Sequence, residues 1–232
     1  MKKQFLFTSA ILFALGAVIF TGCKKDDTTP PEITLNGSAS ETQSLPATAG
    51  SGSYTDPGAT ANDDEDGVVT VTTTGTVDPN SKGTYTITYS ATDAAGNSAS
   101  ATRTVSIVND AEYLAGSYAV KDSVYNPLPP YVSTYTETIT ASSTVNNRIW
   151  VTKFGNYVNG AVYIDRTSST AISLANQTVT CGSPANARIF SNTFPSGGTI
   201  SSTSPLTMVL NYKEDVISPP STANAISTWV KN

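Results

Sequence analysis

In Thr84-Tyr-Thr-Ile-Thr-Tyr-Ser-Ala91, the residues Tyr85, Ile87, Tyr89 and Ala91 alternate strictly with Thr84, Thr86, Thr88 and Ser90. A period of two belongs to a strand with one buried face, because successive side chains point to opposite sides of a sheet. The turn segment Ala94-Ala-Gly-Asn97 follows, and Ala101-Thr-Arg-Thr-Val-Ser-Ile-Val108 again places Val105 and Ile107 on one face, so the two runs read as a hairpin. Upstream, Glu32-Ile-Thr-Leu35 opens a series of short strands separated by Gly/Ser-rich stretches. Residues 31–110 therefore read as a small β-sandwich.

Composition extends this reading to the whole chain. Of 232 residues, 36 are Thr and 28 are Ser, charged residues make up only 13%, and Tyr (11) outnumbers Phe (7) and Trp (2). Such β-branched and aromatic usage favours strands, so the expected class is all-β. Histidine is absent, which removes the commonest general base and metal ligand and every Ser-His or Cys-His nucleophile pair. A net charge of -5 and a pI near 4.6 oppose the basic surface that phosphate backbones require, so nucleic acid is excluded as a partner.

Lys2 and Lys3 precede an uncharged apolar run that ends at Thr21-Gly22-Cys23. This is the n-region and h-region of a secretory leader, and at about 16 residues it is shorter than the roughly 20 of a spanning helix. Small residues followed by Cys resemble a bacterial lipobox, with Phe20 where that pattern usually has Leu, Val or Ile. The resemblance implies a signal peptide at 1–22, lipidation of Cys23, and a lipidated tether at 23–30. Lys24, Lys25, Asp26 and Asp27 follow. They resemble the surface-export signal of some Gram-negative lipoproteins, which implies an outer-membrane anchor facing the cell exterior; a solvated charged tether is the plainer alternative. With Cys23 acylated, Cys181 has no disulfide partner, and its alternation with Val179 reads as core packing.

Five blocks of the first domain carry a further resemblance: Pro30-Pro-Glu-Ile-Thr-Leu-Asn-Gly37, Tyr54-Thr-Asp-Pro-Gly-Ala-Thr-Ala61, Asp64-Glu-Asp-Gly67, Gly83-Thr-Tyr-Thr-Ile-Thr-Tyr89 and Ala91-Thr-Asp-Ala-Ala-Gly-Asn97. In this order they resemble the bacterial surface Ig-like domain also found in some pesticidal crystal proteins. That implies an Ig-like sandwich serving as a spacer or adhesion module. Within it, Asp63, Asp64 and Asp66 offer carboxylate oxygens to calcium. The EF-hand spacing fails, because Thr73 stands where the bidentate glutamate belongs. An inter-strand calcium site and a solvated acidic turn both stay open, and no other cofactor is expected.

Residues 111–232 form a second β-rich domain, with strands expected at 117–124, 135–141, 148–154, 161–164, 171–174, 178–181, 187–191 and 206–212. Locally joined antiparallel strands of this number close as a barrel or pack as a sandwich. The domain loosely resembles uncharacterised lipocalin-like lipoprotein domains. Tyr125, Tyr131 and Tyr135 flank a Pro-rich loop and are the candidate ligand-binding residues, because exposed rings stack on sugars or peptide side chains. Trp150 and Phe154 are expected to fill the core.

No nucleophile elbow, phosphate loop, dinucleotide fingerprint or zinc spacing is present. Glu214 and Asp215 adjoin in sequence, but neighbouring strand residues point to opposite faces. The expectation is a non-catalytic cell-surface lipoprotein whose Ig-like spacer presents a binding or adhesion domain. The alternative is a glycan- or peptide-binding accessory lipoprotein of a TonB-dependent outer-membrane transporter.

Overall fold

The computed structural model describes residues 26–126, 129–157, 160–181, 186–192, 197–217 and 220–232. The leader, Cys23, Lys24 and Lys25 lie outside the described residues. The described elements are strands and two short 3-10 turns.

The first domain has strands β1 (Glu32–Leu35), β2 (Ser40–Ser44), β3 (Ala59–Asp63), β4 (Gly67–Val69), β5 (Val71–Thr74), β6 (Gly83–Thr92) and β7 (Ser98–Val108). One sheet runs β1-β3-β4 and the other β2-β7-β6-β5. The expected hairpin is β6–β7, paired antiparallel from Gly83↔Ile107 to Thr92↔Ser98. Its inward residues Ile87, Tyr89, Ala91, Val105 and Ile107 are buried, as the alternation requires.

On the same inward face of β7 stands Arg103, which is 0% exposed. A buried guanidinium is tolerated only when its charge and N–H groups are met. Arg103 Nη1 donates to Asp56 Oδ1 at 2.5 Å, Nε donates to Ser38 O at 3.0 Å, and Nη2 donates to Asn36 O at 2.6 Å. Asp56 Oδ1 also accepts from the Tyr89 hydroxyl at 2.5 Å. Burial and the hydrogen bond to Asp56 push that phenol up to about 12. The arginine thus ties the central strand to the loops that enter and leave the smaller sheet. Arg103→Ala leaves Asp56 without its charge partner and is expected to cost about 3–5 kcal/mol, measured by urea unfolding.

The second domain has strands β8 (Gly116–Asn126), β9 (Tyr131–Ala141), β10 (Arg148–Val151), β11 (Val162–Arg166), β12 (Ala171–Ser173), β13 (Gln177–Cys181), β14 (Asn186–Asn192), β15 (Gly198–Ser201), β16 (Thr207–Val216) and β17 (Ser221–Lys231). Antiparallel pairing runs β16-β15-β12-β11-β10-β9-β8-β17, and β17 pairs back to β16 from Val216↔Ser221 to Thr207↔Val230. The ring is closed, so the domain is an eight-strand barrel and not a sandwich. The hairpin β13–β14 continues the wall along the other half of β16, from Asn192↔Tyr212 to Arg188↔Val216. Where β13 meets β11, a side chain replaces a backbone pair: Gln177 Oε1 accepts from Tyr163 N at 2.9 Å and its Nε2 donates to Tyr163 O at 2.7 Å.

The chain leaves β10 at Val151, earlier than the expected strand end at 154, and turns into the lumen. A 3-10 turn at Phe154–Asn156 buries Phe154 against Tyr212, Phe190 and Trp229, with ring centroids 4.6, 5.1 and 6.0 Å away. Gly155 permits the inward turn: its φ is +65°, and an added Cβ would lie 3.0 Å from the Tyr157 ring. The buried carboxylate of Glu137 on β9 accepts from the N–H groups of Thr152 and Lys153, each at 2.9 Å, and from the Thr152 hydroxyl at 2.8 Å. Glu137→Ala is expected to cost about 3 kcal/mol, the scale of hydrogen bonds to a buried charge. In a Trp150→Phe background, the remaining emission from Trp229 should shift to the red as the plug loosens.

The two domains are joined at Asn109, which is buried. Its Nδ2 donates to Ser142 O, Val145 O and Arg148 O at 2.9, 3.2 and 3.0 Å, while its Oδ1 accepts from Ala111 N and Asn147 N, both at 2.9 Å. Lys82 N donates to Ser143 O at 2.8 Å, and Asn146 N donates to Pro46 O at 2.9 Å, so the β9–β10 turn is seated on the sandwich.

Candidate functional site

Inward-facing positions on β8, β9, β14, β16 and β17 bring polar groups together in one half of the barrel. Asp122 (β8) is buried and accepts from the Ser227 hydroxyl (β17) at Oδ1 and from the Tyr135 hydroxyl at Oδ2, the latter at 2.8 Å. Glu214 (β16) is also buried and pairs with Arg188 (β14). Tyr157, at the end of the plug, donates to Glu214 Oε1 at 2.9 Å, and its ring lies under the Arg188 guanidinium at 4.2 Å. The plug is therefore held at its start by Glu137 and at its end by Glu214.

Tyr131 stands beside this group at the end of β9 and is 52% exposed. Burial raises the pKa of its phenol, and the charges of Glu214 and Asp122 raise it further, while Arg188 and Tyr157 act in the opposite sense. Tyr131 is the first residue of β9 and shares strand parity with Tyr135 and Glu137, which puts it at the rim of the barrel near Glu214, Arg188 and Tyr157. Tyr135, two inward positions deeper, is half-buried and bound to Asp122, so it supports the site from below.

Tyr125 is exposed and sits at a bulge of β8, skipped in the register between Val124↔Ala225 and Asn126↔Asn224. Trp150, expected in the core, is 39% exposed on the outside, edge-on to Tyr163 at 5.7 Å. The buried indole is that of Trp229, which fills the lumen instead. Cys181 is buried, as its alternation with Val179 implied, and burial raises its thiol pKa.

Asp122, Glu137, Arg188 and Glu214 were not among the candidates from sequence, although a signal existed. Asp122 shares strand parity with Val120 and Val124, Glu137 with Tyr135 and Ile139, and Glu214 with Leu210 and Tyr212. A charge on the apolar parity of a strand marks a partnered buried group.

In the first domain, Asp63 Oδ1 accepts from Glu65 N at 3.0 Å and from Asp66 N at 2.9 Å. Asp64 is exposed on the turn. Asp66 does not converge with these two. Its Oδ2 accepts from Ala94 N at 2.7 Å and ties the β3–β4 turn to the β6–β7 turn.

Burial raises the pKa of Asp122, its hydrogen bonds from Ser227 and Tyr135 lower it, and the charge of Glu214 raises it, with a net upward displacement. A carboxyl raised on folding contributes stability that is fully present below its unfolded pKa and is lost as pH rises through its folded pKa. Asp122→Asn removes that loss. The variant is expected to be more stable than the wild type at neutral pH, with the gap closing as the pH falls below about 4, followed by urea unfolding across that range.

No curated protein matches the chain. Among solved structures, a lipoprotein from Bacteroides thetaiotaomicron aligns over 85% of this chain and 98% of its own, with 14% identity and a TM-score of 0.32. Residues 33–107 match the family model described as "Bacterial surface protein, Ig-like domain", and the sandwich that precedes the barrel is accordingly an Ig-like domain of that type.

Proposed function

We propose that this protein is a non-catalytic, lipid-anchored protein of the outer-membrane exterior, in which the Ig-like domain holds the barrel away from the membrane and the barrel mouth binds a glycan or peptide. The observation that carries the reading is Tyr131, half-exposed beside the part-buried cluster of Arg188 and Tyr157 around the buried Glu214. A ring that offers a stacking face next to a fixed charge network suits a polar ligand with apolar faces. The hydrogen-bonded Asn109 joint supports the spacer role, because it seats the barrel firmly on the sandwich. The lumen carboxylates of Asp122, Glu137 and Glu214 are committed to hydroxyls, backbone amides and Arg188, which supports a structural role for them over a catalytic one.

The alternative is an accessory lipoprotein that passes glycans or peptides to a TonB-dependent outer-membrane transporter. What favours it is the outward Trp150 on the barrel wall, edge-on to a Tyr163 whose face is covered by Arg148 at 3.6 Å, so that the indole is a second surface for sugar stacking. A glycan and peptide array probed with the full chain separates the two surfaces. Tyr131→Ala should weaken retention about two- to tenfold, corresponding to roughly 0.5–1.5 kcal/mol, while Trp150→Ala leaves it unchanged. Loss with Trp150→Ala alone would shift the site to the outer wall. In the same cells, Cys23→Ser should abolish fatty-acid labelling and membrane retention, and protease added to intact cells should cleave the wild-type protein.

A further inference from the structure

At one end of the sandwich, the tether, the β3–β4 turn and the β6–β7 turn converge. Asn97 Nδ2 donates to Asp27 O at 3.2 Å and to Asp93 Oδ2 at 2.9 Å, which fixes the tether against the domain. Asp27 Oδ1 accepts from Thr29 N at 2.9 Å, and Asp63 Oδ1 accepts from the amides of Glu65 and Asp66. The second oxygen of each carboxylate is different. Asp27 Oδ2 and Asp63 Oδ2 are both buried without a hydrogen-bond partner, and Asp63 as a whole is only 2% exposed. One carboxylate oxygen from each of Asp27, Asp63 and Asp64 lies within 4.8 Å of the others.

Buried carboxylate oxygens with no donor are destabilising unless a positive charge stands close to them. Calcium takes six to eight oxygen ligands at about 2.3–2.6 Å in flexible geometry, which suits three carboxylates completed by water, whereas magnesium demands a near-ideal octahedron at about 2.0–2.1 Å. We infer that Asp27, Asp63 and Asp64 bind a calcium ion that staples the tether to the Ig-like domain, with water completing the shell on the exposed Asp64 side. Asp66, a candidate ligand from sequence, is not part of this site. If Cys23 carries the anchor proposed above, four residue steps separate it from Asp27, about 14 Å at full extension. The ion then seats the base of the protein close to the membrane.

The test uses the full chain in detergent, stripped with EDTA and titrated calorimetrically with calcium chloride or magnesium chloride. One calcium per chain is expected, with magnesium at least tenfold weaker, and calcium should raise the melting temperature and protect the segment around Asp27 from protease. Asp63→Asn and Asp27→Asn should each weaken calcium binding at least tenfold, while Asp66→Asn should not. Should Asp63→Asn fail to fold, Asp27→Ser, outside every strand, gives the same reading. Absence of saturable calcium binding, equal binding of magnesium, or unchanged affinity in the Asp27 variants would overturn the inference. Asp63→Asn leaves Lys25, Asp26 and Asp27 intact, so failure of ion binding and failure of surface display are read separately.

Discussion

The pair of hydrogen-bonded carboxylates that hold the Thr152–Tyr157 segment against the barrel, with Phe154 buried and Thr152, Lys153 and Asn156 exposed, governs the architecture of the second domain. An eight-strand ring leaves a lumen that side chains must fill, and here a loop enters to complete the filling. A loop brings backbone N–H groups away from water, and these need acceptors. Glu137 supplies them at the start of the segment, and Glu214 holds the Tyr157 hydroxyl at its end. Between the two, Phe154 completes an aromatic cluster with Phe190, Tyr212 and Trp229. The same arrangement sets the chemistry of the mouth, because Tyr157 and Arg188 are fixed there by Glu214.

Both domains use a buried charge to join segments that strand pairing does not connect. In the sandwich, Arg103 gathers the loops at Asn36–Ser38 and Asp56–Gly58 around the central strand. In the barrel, carboxylates gather the plug and the β8–β17 seam. Between the domains, the neutral amide of Asn109 plays the corresponding role by satisfying backbone groups of the β9–β10 turn. Buried groups of this kind contribute less to net stability than to a single arrangement of the chain, because each alternative leaves one of them unpartnered.

Tyr131 at the barrel rim and the Asp27 and Asp63 carboxylates of the tether site lie in different domains of the protein. The mouth gains its character from groups that the barrel has already neutralised, leaving Tyr131 as the exposed element. The tether site has two carboxylate oxygens that the protein does not neutralise.

The alternation in Thr84–Ala91 determined a strand with one buried face, because a period of two with one apolar parity leaves it only one way to face the core, and the five ordered blocks carried the resemblance to the Ig-like domain. The same rule located most barrel strands, but β15 and β17 escaped it: of the inward residues of β17, Ala223, Ala225 and Ser227 are small or polar and only Trp229 is large, so the strand that closes the ring carries little hydrophobic contrast. The choice of barrel over sandwich therefore belonged to the tertiary structure. So did the position of Phe154, which the turn after β10 carries into the core, whereas Trp150 is outside because it has the opposite strand parity to the buried Ile149 and Val151. The acidic residues at 63–66 were legible as a cation-binding candidate, but the contribution of Asp27 was not. It lies 36 positions upstream, and only the folding of the tether onto the β3–β4 turn brings its carboxylate to Asp63.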